Sequence, residues 1–340
     1  MSAPNPLHRS LRQLLPTLVG AVLVLAACEP LGEGDGASPG TDATGDGGGT
    51  TRLTIATGGT GGVYFPLGGG LAQVLTDNID GVEATAQETS ASVDNMLLIG
   101  NEDADLAFVL ADTAADAIEG RTADFEGSPV DACTLGILYT NYTQIVTTPD
   151  AGIASVEDLR GKRVSVGAAG SGTEVIALRI LEAAGIDPDA DIERSQLLVD
   201  ETVEALGDGT IDAGFWSGGL PTGALVEMAS GGDLALVPHA DYADALMSEY
   251  GEFYTAQDVP AGTYDGIDEA VPSIVVPNVL VASSSMPEDL QRQITETLFE
   301  RKDDLVAVHG AAEELDPATA GDVTFMDVCP GAQAYYDEAG

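Results

Sequence analysis

Short β-branched runs alternate with helical runs from residue 52 onward, and they do so in two separate series. In the first series, residues 53–56, 82–87 and 105–110 read as strands. Residues 63–78, 92–99 and a short segment ending at Glu119 read as helices. This order predicts a parallel sheet with helices on both faces. The second series opens at Ser155-Val156-Glu157-Asp158, which fits a capping box for a one-turn helix ending at Gly161. It continues with strands at 163–167, 196–199, 211–216 and 234–238, and with helices at 173–184, 201–206 and 221–229. Two long apolar stretches, 134–147 and 273–282, stand outside both series. One leaving the first unit and one returning predict a two-stranded hinge. Helices at 288–309 and 331–338 then rejoin the first unit. The expected plan is an α/β, two-lobed chain, with residues 51–142 and 280–340 in one lobe and 143–279 in the other. A length of 340 residues suits two cores better than one. No period of 20–50 residues marks a solenoid.

The N-terminal region reads as a targeting segment. His8, Arg9 and Arg12 precede an apolar run at 14–27 that is interrupted by Pro16 and Gly20 and short for a spanning helix. Leu25-Ala26-Ala27-Cys28 resembles a bacterial lipobox, in which the cysteine is lipidated and becomes the new N-terminus. An ordinary signal peptide cut near Ala27 is the alternative. Residues 29–50 hold eight glycines and two prolines, so 28–50 reads as a flexible tether.

Twelve basic side chains face 56 acidic ones, a formal net charge of −44. Loss of residues 1–27 removes Arg9 and Arg12 and no acid. Such a balance argues against nucleic acid and anionic lipid surfaces as partners, because both are bound by basic patches. It also suits a saline environment. Three histidines and three cysteines leave little for a metal cluster or a histidine-based catalytic network.

Glycine-rich junctions carry the candidate chemistry. Gly58-Gly59-Thr60-Gly61-Gly62-Val63-Tyr64 follows a strand and opens a helix, where free backbone N–H groups favour an anion. The spacing is not G-x-G-x-x-G, and no G-x-x-x-x-G-K-[ST] occurs, so no nucleotide motif is present. Gly170-Ser171-Gly172-Thr173 repeats the device in the second series, with Ser171 also a helix cap. Thr89-Ser90-Ala91-Ser92, with Asn95 one turn on, and Phe215-Trp216-Ser217-Gly218-Gly219 occupy two further junctions. All four lie at the C-terminal ends of expected parallel strands, where open α/β sheets bind ligands. Trp216 reads equally as cleft wall or core. Tyr139 and Tyr142 offer a wall or a hydroxyl, with core packing the alternative.

Enzymatic readings fail on inventory. His239 and His309 are the histidines beyond the targeting segment, and neither sits in a catalytic motif. Ala169 breaks any G-x-S-x-G around Ser171. Asp187-Pro188-Asp189-Ala190-Asp191 resembles a calcium loop, but Ile192 and Leu198 stand where glycine and glutamate are required. No cofactor and no metal is expected. Cys133 and Cys329 are the remaining thiols, an even pair compatible with one disulfide in an exported protein; two buried free thiols are the alternative.

Four segments closely resemble the TAXI family of TRAP-transporter solute receptors: TGGTGGVYFPLGGGLAQVL (57–75), DLRGKRVSVGAAGSGTEV (158–175), FWSGGLPTGAL (215–225) and CPGAQAYYDEAG (329–340). The resemblance spans about residues 52–340. It implies a type II periplasmic-binding-protein fold, no catalysis, and capture of a small organic acid or an amino acid such as glutamate for an ion-gradient-driven TRAP permease. The family's ligand loops map onto Gly58, Thr60, Gly61, Gly62 and Tyr64; Ser92 and Asn95; Ser171, Gly172 and Thr173; and Trp216, Ser217 and Gly218, with Tyr139 nearby. Two positions depart from the family pattern. Cys329 replaces the histidine of the usual His-Pro-Gly-Ala motif, and Ala91 replaces a glycine.

The combined expectation is a lipoprotein held at the outer face of the cytoplasmic membrane through Cys28. A ligand sensor for a membrane kinase, and an enzyme on the same scaffold, are the alternatives. Cys28→Ser is expected to move the protein from the membrane to the soluble fraction on cell fractionation. Retention at the membrane would make the apolar segment an uncleaved anchor.

Overall fold

A computed structural model describes residues 49–339; Cys28, the signal segment and nearly all of the tether lie outside the described residues. The first series forms β1 (Thr51–Ala56), α1 (Tyr64–Asn78), β2 (Val82–Gln87), α2 (Ser92–Gly100), β3 (Leu106–Leu110) and α3 (Ala111–Glu119). A long strand follows, β4 (Ala132–Thr147). The second series forms β5 (Arg163–Ser165), α4 (Gly172–Ala183), β6 (Glu193–Ser195), α5 (Val199–Gly207), β7 (Ala213–Gly218), α6 (Gly223–Ser230) and β8 (Ala235–Val237). Then come α7 (Ala243–Tyr250), β9 (Thr255–Val259) and the second long strand, β10 (Val271–Ser283). Three helices end the chain: α8 (Glu288–Glu300), α9 (Lys302–Val308) and α10 (Pro330–Ala339).

These strands form one continuous sheet in the order β2-β1-β3-β10-β4-β7-β5-β6, with β8 on β4 and β9 on β10. β1 pairs in parallel with β2 and β3, and β5 does so with β6 and β7. Between these two parallel halves, β4 and β10 run antiparallel to each other and to their neighbours. The central strands are buried on both faces, which is why they read as continuous apolar runs. Along β3, Leu106 and Phe108 enter one core and Ala107 and Val109 another. In the second half, Ile145 and Phe215 face one core while Val146 and Leu225 pack in the other. The fold is that expected, an α/β architecture of the type II periplasmic-binding-protein class.

Local signals explain several boundaries. Ser155 caps its short helix as expected, with the Asp158 carboxylate accepting from the Ala154 and Ser155 N–H groups at 3.0 Å each. Three expectations are corrected. The strand expected at 196–199 lies at Glu193–Ser195, and Val199 opens α5 instead. The apolar run Leu197-Leu198-Val199 lines a cavity, while the true edge strand exposes Glu193 and Arg194 and carries no apolar signature. The helix expected at 288–309 breaks at Arg301 into α8 and α9. Pro221 lies two residues before α6, in a turn, where it follows Leu220 through a cis bond.

One cluster of buried charge joins the helix after β3 to the second series. Arg179 of α4 donates to the Tyr254 hydroxyl at 2.8 Å and to Asp116 at 2.5 Å, and Tyr254 donates to Asp112 at 2.5 Å. Its guanidinium also lies 4.1 Å from the centre of the Tyr250 ring. Burial raises the Asp112 carboxyl from its ordinary value, opposed by Arg179 and the Tyr254 hydrogen bond.

The structure joins Cys133 of β4 to Cys329, just ahead of α10, in a disulfide with α-carbons 4.9 Å apart. Backbone bonds frame it: Cys329 N–H donates to the Thr134 carbonyl at 2.8 Å, and Thr134 N–H to that of Asp327 at 3.0 Å. The bridge spans 196 positions and ties the C-terminal helix to the sheet. Loops of this length gain most from cross-linking, so reduction is expected to lower unfolding free energy by about 2–5 kcal/mol. Denaturant titration with and without reductant measures this. Blocking of free thiols in unreduced, unfolded protein should label neither Cys133 nor Cys329.

Candidate ligand-binding site

The strand–helix junctions of both halves meet at one small cavity. It is lined by residues of the 58–64 turn, the 90–92 turn, the 167–173 turn, the 197–199 segment and the end of β7. The centre of a water-sized sphere has about 30 Å³ of room in it, a few times what one water needs.

Ten of the expected residues line this cavity: Gly58, Gly62, Tyr64, Ser92, Ser171, Gly172, Thr173, Trp216, Ser217 and Gly218. Four do not. Thr60 is exposed at the tip of its turn. Gly61 lies against Val199 and Asp200, and its carbonyl accepts from the Ala224 N–H at 3.4 Å. Asn95 is a lock. Its amide donates to the Thr57 and Phe108 carbonyls at 2.7 and 2.8 Å, and its oxygen accepts from Thr89 at 2.6 Å, so both donors are spent inside the protein and the side chain is fully buried. Tyr139 packs in the core beside Leu67, Leu71 and Phe108. Tyr142 is also core, accepting from Gln257 at 2.6 Å.

The additional lining residues include Leu110, Leu197, Leu198 and Val199. Leu110 ends β3 and Val199 opens α5, so the rule that pointed to the glycine turns applies to them too. Being apolar, they offered no chemical signal.

Three helix N-termini are presented to this space. No acceptor among the described residues takes the N–H groups of Val63 and Tyr64 at α1, Gly172 and Thr173 at α4, or Val199 at α5. Each N-terminus carries roughly half a positive charge. The N-termini of the other two helices nearby are spent on cross-cleft contacts: Val93 and Asp94 of α2 donate to the Gly170 carbonyl, both at 3.1 Å, and Ala224 of α6 donates to Gly61.

Hydroxyls complete the site. Tyr64 receives the Asn278 amide at 2.7 Å and the Asn141 amide at 3.3 Å, so its own proton is free to be donated. Burial raises its pKa far above the phenol range, which keeps that proton in place. Thr173 Oγ1 accepts from Ser217 N–H at 3.1 Å and retains a donor. Ser217 is 6% exposed, and its Oγ has no partner among the described residues. Trp216 Nε1 is committed to Thr222 at 2.8 Å, so the ring acts as a wall.

Glycine is required where the halves touch. A Cβ on Gly62 would come within 2.7 Å of the Trp216 ring, and one on Gly172 within 2.6 Å of Leu110 and 2.8 Å of Ser92 Oγ. His239 lies elsewhere, buried against the Val237 carbonyl at 2.9 Å, and burial lowers its pKa to about 4. It is a neutral core group.

The fold is one shared with solute-binding proteins. Among solved structures, the chain is similar to XAC2383 from Xanthomonas citri bound to ATP, at 12% identity and TM-score 0.51, covering 85% of this chain and 99% of that one. It is also similar to PhnD1 from Prochlorococcus marinus (MIT 9301) in complex with methylphosphonate, at 11% identity and TM-score 0.51, covering 77% and 90%. The periplasmic aliphatic sulphonate binding protein SsuA from Escherichia coli matches at 15% identity and TM-score 0.47, covering 84% and 82%. At these identities the likeness is one of fold. The chain belongs to the NMT1-like family, which it matches over residues 55–340. No helix among the described residues is long and apolar enough to cross a membrane.

Ala91, on the cavity wall, has φ +87° and ψ −142°, a conformation that suits glycine. Strain of this kind costs about 1–3 kcal/mol, more than the extra chain entropy of a glycine, about 0.5–1 kcal/mol. Ala91→Gly is therefore expected to raise unfolding free energy by about 1 kcal/mol. Denaturant melts of the two proteins check the sign.

Proposed function

We propose that the chain is an extracytoplasmic solute-binding lipoprotein of a TAXI-type TRAP transporter. Anchored through Cys28, it captures a small carboxylate or amino acid between lobes 51–142/280–340 and 143–279. It then delivers the ligand to an ion-gradient-driven permease. The observation that carries the reading is the convergence of three helix N-termini and the partnerless Ser217 hydroxyl on one cavity. Backbone amides at helix starts bind an anion without any basic side chain. The four resembling segments support the TAXI assignment, and three of them border the cavity. The lining has no aspartate, glutamate, histidine, lysine or cysteine. Its serine and threonine hydroxyls therefore lack the adjacent general base that would activate them as nucleophiles.

Isothermal titration of the full chain against carboxylates, amino acids, sugars and cations tests the reading. Acids are expected to bind; stabilisation by sugars or cations alone would overturn it. Ser217→Ala is the sharper probe, because that hydroxyl has no partner among the described residues. It is expected to leave the melting temperature unchanged or slightly raised while weakening acid binding by about 1 kcal/mol, roughly fivefold. Thr173→Ala should lower both, since it also strands the buried Ser217 N–H.

A further inference from the structure

Outside its anion-binding end the cavity is apolar: Val63, Leu110, Leu197, Leu198, Val199 and Trp216 form the remaining walls. No charged side chain of either sign lines it. The acids beside it are committed to other tasks. Asp112 is held by Tyr254 and Arg179, Asp94 accepts from Ser90 N–H at 3.3 Å, Glu174 from Gly170 N–H at 3.0 Å and Glu201 from Leu198 N–H at 2.9 Å, and Asp200 packs against Gly61. The polar groups that remain open carry no formal charge. Main-chain N–H groups of Val63, Tyr64, Gly172, Thr173 and Val199 can only donate, the Tyr64 hydroxyl already accepts from two amides, and the Ser217 hydroxyl, without a partner among the described residues, is neutral.

A site made this way recognises one negative head and nothing else charged. An ammonium beside the carboxylate would find neutral hydroxyls and no carboxylate to receive it. A second carboxylate would be buried against leucines, with no cation. Either charge loses its hydration without gaining a counter-charge, and uncompensated burial of a charge is among the most costly events in a protein interior. The small volume adds a limit on length.

We infer that the ligand is a short monocarboxylate of about three to five carbons with an uncharged, largely apolar tail, and that α-amino acids and dicarboxylates are excluded by the missing counter-charges. This narrows the proposed function and rests on it, since it presumes that the three helix ends hold an anion.

The test uses the full chain and a matched four-carbon series: butanoate, 2-aminobutanoate and butanedioate, each titrated calorimetrically. Butanoate is expected to bind at least about tenfold more tightly than either of the others. Equal or tighter binding of 2-aminobutanoate or butanedioate would overturn the inference and leave the acid-receptor reading standing. Failure of every acid to bind a chain shown by circular dichroism to be folded would overturn both. Leu197→Arg separates charge from shape, because Leu197 is only half-buried and tolerates a longer side chain. It is expected to tighten butanedioate binding severalfold and to leave 2-aminobutanoate weak. An unchanged butanedioate affinity in that variant would show that the missing cation is not what excludes the second carboxylate.

Discussion

Strands β4 and β10 join the two parallel halves of one sheet. β10 pairs with β3 through Asn278–Ala282 and with β9 through Val271–Val275, while β4 reaches β7 only from Tyr142 onward. At Val276 and Pro277, β10 has no partner but β4. Pro277 has no N–H, and opposite it the Thr140 N–H donates instead to the Glu314 carboxylate at 2.9 Å. The crossing is thus narrow, two strands wide, and one of its ladder positions is closed by a side chain. The cavity is tied to it directly. Tyr64, the first residue of α1, is held by Asn141 of β4 and Asn278 of β10. A ligand that accepts the Tyr64 proton therefore bonds, through one side chain, to both crossing strands.

The strength of the contacts on either side of this crossing decides where motion is possible. The cavity side is held by backbone bonds of 3.1, 3.1 and 3.4 Å from α2 and α6, worth about 1 kcal/mol each. The Arg179 cluster couples α4 to Asp112 and Asp116 of α3, which also packs against β10. Removing one partner from such a buried network costs about 3–5 kcal/mol. Gly62 and Gly172 permit the close approach of the turns at 58–64 and 170–173 to their neighbours, because a side chain at either would push into Trp216 or into Leu110 and Ser92.

Much of this was legible in the residue order, and the failures have a common cause. Strands β3, β4, β7 and β10 are buried on both faces, so apolar runs reveal them. β6 pairs only with β5 and exposes its side chains, which removes that signal. Leu197-Leu198-Val199 looks like a strand because it is apolar, but its burial comes from the 58–64 turn rather than from a sheet. Asn95 and Tyr139 have the chemistry of ligand contacts. What they do depends on which backbone carbonyls or leucines lie beside them, and those come from segments distant in sequence. Cys133 and Cys329 were recognisable as a pair by count alone. Their meeting depends on the backbone bridge of Thr134 to Val328, which no residue pattern announces.

The proposed anion site, on a chain with 56 acids and 12 bases, looks self-defeating until contact and long-range effects are separated. At physiological ionic strength, charges farther apart than about 8 Å are largely screened when exposed. Most of the acids among the described residues are exposed or half-buried side chains. The amides of α1, α4 and α5 act at hydrogen-bond contact, inside a space walled by leucines, where the effective dielectric is low and each interaction is strengthened. Contact geometry therefore sets affinity, and the distant charge sets solubility and the rate of approach. The same division explains why the site contains no arginine. In a wall of leucines a guanidinium would itself need a buried partner when the ligand leaves, whereas a helix N-terminus carries its partial charge with no such demand and can be emptied and refilled as a receptor requires.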